Sequence, residues 1–346
     1  MVGDERQAVL EGMPLPVVLI GSFGRIEAAN TRARAAFSAG IVGRPYLTVF
    51  RQPGLIGALE AALAEGRTGD VRVTISANSH DLVYRVTASP VPLAGGRGAI
   101  LAFEDVGERE QAEAMRRDFV ANVSHELRTP LTALLGFIET LKGAAREDSA
   151  ARDRFLGIME REAERMSRLI RDLLSLSRVE SEERMRPAQR IDLMVPLRSS
   201  IAALKPLADA QDVALGVDGG GEPVMLLADP DQMTQVFSNL IENAIKYGGS
   251  GKVVTVEVER IAHDAALRGP AVRISVIDKG EGIDPIHIPR LTERFYRVDT
   301  HRSRKQGGTG LGLAIVKHIV SRHRGRFRIE SEKGKGSRFS VVLPSE

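Results

Sequence analysis

The amino-acid sequence predicts a multidomain α+β protein in which a helical hairpin separates two α/β domains. Three observations support this fold class. The first hundred or so residues mix short strand patterns with short helices, two long amphipathic helical patterns follow with one short break, and strands and helices then alternate to the end. The 346 residues are enough for two or three domains with separate cores. We expect domains at 1–105, 106–186 and 187–346.

The composition excludes several classes of protein. Cysteine is absent, so the chain has no disulfide framework, no thiolate nucleophile and no cysteine-ligated metal site. The 48 lysines and arginines barely outnumber the 45 acidic residues and are spread among them, which argues against direct binding of nucleic acid. The sequence has neither an apolar run of about eighteen residues nor a signal-peptide pattern. We expect a cytoplasmic protein with no membrane span in this chain, or one whose membrane anchor lies outside this sequence.

Residues 1–105 have the pattern of a small α/β domain. Short apolar or alternating runs predict strands at 17–20, 26–28, 71–75, 82–87 and 99–104. Asn30 is a suitable N-cap for a short helix after the second strand. The polar residues 78–81 between the third and fourth strands are typical of a hairpin turn.

One long amphipathic helix is predicted from 106 to about 141, and His125 lies in its second half. Apolar residues recur along it at three- and four-residue steps, and His125 is not part of that stripe. Pro130, five residues further on, is expected to kink the helix. After a break at 143–149, a second helix, which Asp148 or Ser149 can cap, runs to about 184. Its apolar face is broader than a two-helix seam requires, so we expect two copies of the hairpin to pair as a four-helix bundle.

Residues 187–346 have the pattern of a larger α/β sandwich. Amphipathic runs predict helices at 196–211, 230–246 and 310–324. Strands are predicted at 213–217, 223–227, 252–261, 271–278, 325–330 and 337–343. Because hairpin-linked strands are mixed with helices, a doubly wound parallel sheet with a Rossmann fingerprint is excluded.

The helix that begins at Asp229-Pro230 carries a polar face. An aspartate N-cap followed by proline is a typical helix start. Asn239, Asn243 and Lys246 then lie on one side of the helix at helical spacing. Such a face suits phosphate groups and a hydrated Mg²⁺, which prefers oxygen ligands. A solvated polar face would explain this helix equally well, so the helix alone leaves both interpretations open.

Two glycine-containing segments follow that helix. The strand at 271–278 ends in Asp278, which is followed by Gly280 and Gly282. A carboxylate there can accept a hydrogen bond from an exocyclic amine, while the bare backbone lets a flat ring approach. Residues 307–313 then open a helix with four glycines. Free N–H groups at a helix N-terminus form an anion site.

The order of these features resembles a bacterial sensor histidine kinase along almost the whole chain. The five motifs that carry the resemblance are the H box at 119–132, the N box at 239–247, the first glycine box at 278–282, the F box at 293–299 and the second glycine box at 307–313. The first domain, with Gly24-Arg25-Ile26 and Asn30, resembles a PAS sensor domain, and the third is similar to a Bergerat-type ATP-binding domain. The H box and hairpin resemble those of phosphate-regulon sensors of the PhoR type. Thr292 departs from the family pattern, which usually has phenylalanine there.

The resemblance implies catalytic roles for three residues of the first hairpin helix. His125 would be the nucleophile that takes the γ-phosphoryl group of ATP on a ring nitrogen. Glu126 would accept the proton from the other nitrogen. Thr129, one helical turn further on, matches the position that orients water when the family dephosphorylates its partner regulator.

The resemblance also implies how ATP and Mg²⁺ would be held. Asn243 would hold Mg²⁺, Asn239 and Lys246 the phosphates, Tyr247 the nucleotide and Asp278 the adenine amine. Arg297 would neutralise the γ-phosphate during transfer. The other expected nucleotide-binding residues are glycines and their neighbours in the two glycine boxes: Gly280, Gly282, Gly308, Thr309, Gly310, Leu311 and Gly312. Residues 298–309 would form a mobile lid over ATP.

The implied function is that of a homodimeric, PAS-containing sensor kinase of a two-component system. It would phosphorylate itself on His125 and pass the phosphoryl group to an aspartate in the receiver domain of a response regulator. That regulator would be PhoB-like, and the signal phosphate starvation, if the PhoR resemblance extends to function. Two alternatives are a non-catalytic signalling scaffold that binds ATP and a GHKL-type ATPase without phosphotransfer. The second is disfavoured because Asn239 stands where those ATPases have a water-activating glutamate.

A solvated basic edge, rather than a binding patch, is expected at Arg322, Arg324, Arg326 and Arg328. His318 and His323, both on the last predicted helix, are expected to be surface residues.

Overall fold

A computed structural model of the protein describes residues 2–77, 80–143, 145–183, 185–298 and 308–345. The chain forms two compact units, residues 1–121 and residues 122–346. Two parts of predicted features lie outside the described residues: positions 78 and 79 of the hairpin turn, and positions 299–307 of the lid.

In the first unit, five described strands form one antiparallel sheet with the order β2-β1-β5-β4-β3. The elements are α1 (Val2–Glu11), β1 (Val17–Ile20), β2 (Ile26–Ala29), α2 (Thr31–Phe37), α3 (Tyr46–Val49), α4 (Pro53–Glu60), β3 (Gly69–Ala77), β4 (His80–Leu93) and β5 (Gly96–Asp105). All five predicted strands are present. Helix α4 continues as one π-helical turn, Ala61–Glu65, before β3 begins.

Four aromatic side chains pack against one another in the core of the first unit. Phe37, Phe50, Tyr84 and Phe103 meet edge-on or tilted, with ring centroids 4.6–6.1 Å apart. Asn30 is buried and caps α2 as predicted, since its side-chain oxygen accepts from the Ala33 N–H and also from the Val17 N–H. One side chain thus fixes both the helix start and the first strand.

Helix α5 (Gly107–Lys142) leads from the first unit into the second, and α6 (Ser149–Glu182) returns beside it as the second arm of the hairpin. Asp148 caps α6 through the Ala151 N–H, as predicted. Helix α5 is continuous through Pro130. Several large apolar side chains of the hairpin remain exposed on the single chain: Leu131, Leu135, Ile138, Leu156, Ile170 and Leu174. No described helix is long and apolar enough to cross a bilayer.

The rest of the second unit is an α/β sandwich. Its helices are α7 (Met194–Ala210), α8 (Pro230–Gly248) and α9 (Gly312–Arg322). Its described strands are β6 (Arg190–Asp192), β7 (Ala214–Gly219), β8 (Met225–Leu227), β9 (Val253–Asp264), β10 (Gly269–Asp278), β11 (Arg326–Glu332) and β12 (Gly336–Pro344). The main sheet has the order β11-β12-β10-β9-β7, and only its β7–β9 pair is parallel. The apolar faces of α8 and α9 supply much of the core.

Two expectations about α9 were wrong. His323 is buried, because it lies under the start of α8, where its Nε2 accepts from the Asp229 N–H at 3.1 Å. Arg322 is also buried. Its guanidinium pairs with Glu182 at 2.9 Å and with Asp229 at 3.6 Å, and it donates to the Met185 carbonyl. These contacts join elements far apart in sequence, so helical periodicity alone could not reveal them.

His323 is expected to make folding sensitive to acid. Since the Asp229 N–H donates to Nε2, the ring proton lies on Nδ1, which donates to the Ile319 carbonyl. Burial lowers the pKa of His323 from its ordinary value of 6.5. The unfolded chain therefore binds a proton at a higher pH than the folded chain, and this contribution to stability is lost as pH falls below about 6.5.

The measurement is the free energy of unfolding between pH 8 and pH 5.5, for the wild type and for His323→Gln. The decline over this range should be shallower in the variant, because its side chain does not titrate. Equal slopes for the two proteins would contradict the prediction.

Candidate functional site

Asp278 ends strand β10 and is buried. Its Oδ1 accepts from the Gly280 N–H at 2.9 Å, and Ser337 on β12 donates to it from both backbone and side chain. Burial raises the pKa of the Asp278 carboxyl above its usual value, and these hydrogen bonds act in the opposite direction. The carboxylate is therefore fixed in orientation at the edge of the sandwich.

Gly248, the last residue of α8, is a part of this site that the sequence did not single out. A Cβ there would lie 2.2 Å from Asp278 Cβ and 2.4 Å from its Cγ, so no larger residue fits. Gly280 approaches the same glycine, since its own Cβ would lie 2.6 Å from Gly248 Cα. The sequence signal was a glycine directly after Tyr247 at the helix end, where it could be taken for an ordinary C-cap.

The polar face of α8 points toward the second glycine box. Asn239 Nδ2 donates to the Gly312 carbonyl at 3.3 Å. Lys246 pairs with Glu242, one turn back on the helix, at 2.5 Å. Asn243 is half-buried, and Tyr247 is 36% exposed. The structure thus brings the predicted helix face and the glycine box together, and adds Glu242 as the immediate partner of the lysine.

The described part of the second glycine box, residues 308–313, is hydrogen-bonded to the F box. Gly310 has a φ of +74°, and a Cβ there would lie 2.9 Å from Phe295 Cα, so both conformation and space favour glycine. The Phe295 N–H donates to the Gly310 carbonyl at 2.8 Å. Helix α9 begins at Gly312, two residues later than predicted. The box is therefore a loop ahead of a helix N-terminus, and within it the Leu311 N–H donates to Thr309 Oγ1 at 3.3 Å.

Arg297 lies between this glycine box and the hairpin. Its side chain is 6% exposed, and its Nη2 donates to Glu126 Oε2 at 3.2 Å. Its Nε is buried, has no hydrogen-bond partner among the described residues and would lie 3.2 Å from a Cβ on Gly310. A buried N–H that lacks an acceptor within the described part of the chain can take one from a bound ligand.

Three residues of α5 were predicted to carry the chemistry, and they lie one beside the next. His125 is exposed. Thr129 Oγ1 donates to the His125 carbonyl at 3.2 Å. Glu126 is 17% exposed at its side chain and is held by Arg165 of α6 at 2.6 Å in addition to Arg297. The sequence did not indicate Arg165.

Helix α6 makes further polar contacts with the sandwich. Thr309 of the glycine box donates to Asp172 at 2.7 Å, and Arg294 of the F box donates to Glu180. Burial raises the pKa of Asp172, opposed by the hydrogen bond from Thr309. These partners lie more than a hundred residues apart in sequence, which is why pattern analysis did not connect them.

Comparison with known proteins places both halves of this site. Residues 115–182 match the His Kinase A (phospho-acceptor) domain, and residues 228–346 match the histidine kinase-, DNA gyrase B- and HSP90-like ATPase domain. By domain content, the chain belongs to the sensor histidine kinases. The region around His125 and the sandwich that holds Asp278 are thus the two characteristic parts of this kinase family.

Relatives of this sensor histidine kinase include proteins named Sensor protein kinase WalK. The one from Staphylococcus aureus strain Newman is 35% identical over 345 residues, which are 98% of this chain and 55% of that protein. The one from Staphylococcus saprophyticus is 39% identical over 267 residues, which are 77% of this chain and 43% of that protein. The chain therefore spans about half the length of these relatives. Their names give no support to the PhoR-type resemblance or to a PhoB-like regulator.

Among solved structures, the histidine kinase ThkA in complex with the response regulator protein TrrA aligns over 98% of both chains. Its TM-score is 0.52, and the sequence identity is 20%. At this identity the match shows a shared fold for the sensor histidine kinase and nothing about its signal.

Proposed function

We propose that this chain is the signalling and catalytic part of a two-component sensor kinase. It transfers the γ-phosphoryl group of ATP to His125 and then to an aspartate of a response-regulator receiver domain. The proposal rests on the two surroundings of the Arg297 side chain. Its buried guanidinium has one nitrogen on Glu126, the neighbour of His125, and beside Gly310 a second nitrogen that no described residue pairs with. One cation thus connects the proposed nucleotide site to the proposed phosphate acceptor.

ATP is the proposed substrate of the sandwich. The Asp278 carboxylate would accept from the adenine amine, and the close packing of Gly248 and Gly280 against Asp278 would keep that carboxylate in place. Tyr247, half-exposed at the end of α8, would lie against the nucleotide. The backbone and side-chain donors of Gly308, Thr309, Gly310, Leu311 and Gly312 would receive the phosphates, with Asn239 and Lys246 opposite.

Mg²⁺ fits the half-buried amide face of α8, where Asn243 would supply an oxygen ligand. When bound, the ion neutralises charge on the phosphates. To reach a phosphate, Lys246 must give up its ion pair with Glu242. A stronger charge-assisted hydrogen bond to the phosphate would replace that pair.

The reaction at His125 needs a lone pair, a leaving group and a place for one proton. One ring nitrogen forms the new bond to phosphorus while the bond to the leaving oxygen of ADP breaks. The proton on the other nitrogen passes to Glu126. Arg297 would move from Glu126 to the transferring group, where positive charge stabilises the transition state.

The remaining parts of the proposal follow from the hairpin and the first unit. The exposed apolar residues of α5 and α6 support a homodimer built as a four-helix bundle. The observed order of two strands, short helices and a three-stranded meander before α5 supports a PAS-type sensor at 1–105. The hairpin domain at 106–186 and the ATP domain at 187–346 complete the proposed division. For Thr129 to orient water for dephosphorylation, its hydroxyl must turn away from the His125 carbonyl.

The proposal is tested by incubating the purified chain with γ-labelled ATP and Mg²⁺. The expected product is one label per reactive subunit that is lost in acid and retained in alkali, as a phosphohistidine is. ATP binding without any label would instead favour a signalling scaffold. Rapid release of free phosphate without phosphohistidine would favour a hydrolytic ATPase.

The contact between Asp172 and Thr309 is expected to weaken ATP binding. It holds a carboxylate, with Glu242 close enough to raise its pKa further, against the loop proposed to receive phosphates. Repulsion between this carboxylate and a phosphate bound by the loop would cost on the order of 1 kcal/mol. Asp172→Asn should therefore lower the dissociation constant for ATP about threefold to tenfold, as measured by calorimetry. Asp153→Asn, an exposed position on the same helix, is the control. Weaker binding by Asp172→Asn would contradict the prediction.

A further inference from the structure

We propose that Arg165 is a positioning residue for the phosphorylation of His125, acting through Glu126. The inference rests on the proposed kinase function and adds to it a residue outside the five motifs. Arg165 lies on α6, the second arm of the hairpin, and its Nη2 reaches across to Glu126 Oε2 at 2.6 Å. Neither helical spacing nor sequence neighbourhood links the two residues.

The Glu126 carboxylate is shared by two cations that belong to different parts of the molecule. Arg165 belongs to the hairpin, as Glu126 does, whereas Arg297 belongs to the sandwich. Both guanidinium groups donate to the same oxygen, Oε2. When Arg297 leaves to meet a phosphate, Arg165 is the contact that stays.

Arg165 is itself held in place. Its Nη1 lies 3.6 Å from Glu162, one turn back on α6, while Nη2 points to Glu126. The side chain of Arg165 is 12% exposed and that of Glu126 is 17% exposed, so the pair is largely removed from water. A charge-assisted hydrogen bond in such a place is stronger and better oriented than a surface ion pair.

This geometry explains how Glu126 can accept a proton from its neighbour His125. A free glutamate on an exposed helix samples many rotamers, and few of them face the ring of the adjacent residue. One oxygen of Glu126 is fixed by Arg165, which leaves Oε1 as the oxygen available to the histidine. Arg165 touches neither nucleotide nor His125 in this scheme, so it acts only by orienting the proton acceptor.

The test is the rate of autophosphorylation at saturating ATP for Arg165→Ala, Arg165→Lys and the control Arg161→Ala. Arg161 is exposed and lies one turn from Arg165 on the same helix. Arg165→Ala should lower kcat about tenfold to a hundredfold, part of what a positioned general base contributes, with the KM for ATP changed less than about twofold. Arg165→Lys should recover part of the rate, since one N–H donor makes the contact. Arg161→Ala should match the wild type.

A double-mutant cycle separates positioning from a structural role. In a Glu126→Gln background, Arg165→Ala should have little further effect on kcat, because the group that it positions has already been replaced. Independent, multiplicative losses would overturn the proposal, as would a wild-type rate for Arg165→Ala or a change confined to KM. If Arg165→Ala unfolds, Arg165→Lys in the same cycle carries the test. A wild-type chain that forms no phosphohistidine would instead contradict the kinase function itself.

Discussion

Replacing His125 by alanine is expected to abolish all acid-labile labelling from γ-labelled ATP. The ring nitrogen of His125 is the only atom of this chain that forms a bond to phosphorus in the proposed reaction, so no partial activity should remain. The variant should still bind ATP with wild-type affinity, because the nucleotide site lies in the sandwich. The side chain is exposed, and its removal leaves no cavity, so the thermal unfolding midpoint should change little.

His263→Ala is the matched control, since it removes another exposed histidine from the second unit. It should be labelled like the wild type. Label that persists in His125→Ala would place the phosphate acceptor elsewhere and would remove the basis of the proposed function.

Replacing Asp278 by asparagine is expected to weaken ATP binding by about tenfold to a hundredfold. A hydrogen bond to a charged group contributes roughly 1.5–3 kcal/mol, and every 1.4 kcal/mol corresponds to a tenfold change in affinity. The asparagine oxygen can still accept from the Gly280 N–H, so the loop should keep its shape. Because burial raises the pKa of the Asp278 carboxyl, loss of the charge should leave the folded protein as stable at neutral pH or more so.

The measurement is calorimetric titration with ATP and Mg²⁺, together with thermal unfolding of the free protein. Asp218→Asn, at an exposed position on β7, controls for the loss of one negative charge. Unchanged affinity in Asp278→Asn would exclude this carboxylate from base recognition, whatever the effect on autophosphorylation.

Local elements were predictable from the sequence because each shows its own signal. Asn30, Asp148 and Asp229 were predicted as helix caps, and each accepts backbone hydrogen bonds at a helix start. The alternating and three/four patterns located the principal helices and strands to within a few residues. The polar face of α8 and the glycine box after it were also predictable as partners, because the resemblance to a known family supplied the long-range pairing.

The ion pairs and hydrogen bonds that helix α6 makes with other elements could not be predicted in this way. Arg165, Asp172 and Arg322 look like ordinary charged residues of amphipathic helices, and helical spacing correctly places most such residues in solvent. Their partners, Glu126, Thr309 and Glu182, lie on other elements. The members of these pairs meet only because α6 packs against α5, the second glycine box and α9, and such packing depends on the whole chain rather than on local sequence.

The number of residues in helix α5 before His125 determines the direction in which His125 points from the helix axis. The 36 residues from Gly107 to Lys142 span roughly 54 Å, and His125 is 18 residues from the start. Each residue added between β5 and His125 would turn the histidine about 100° around the helix axis, whereas seven would restore its heading and lengthen the arm by about 10 Å. Sensor domains grafted onto this hairpin should therefore be functionally compatible in steps of seven residues, and the same sensor one residue out of step would turn His125 toward a different side of the helix.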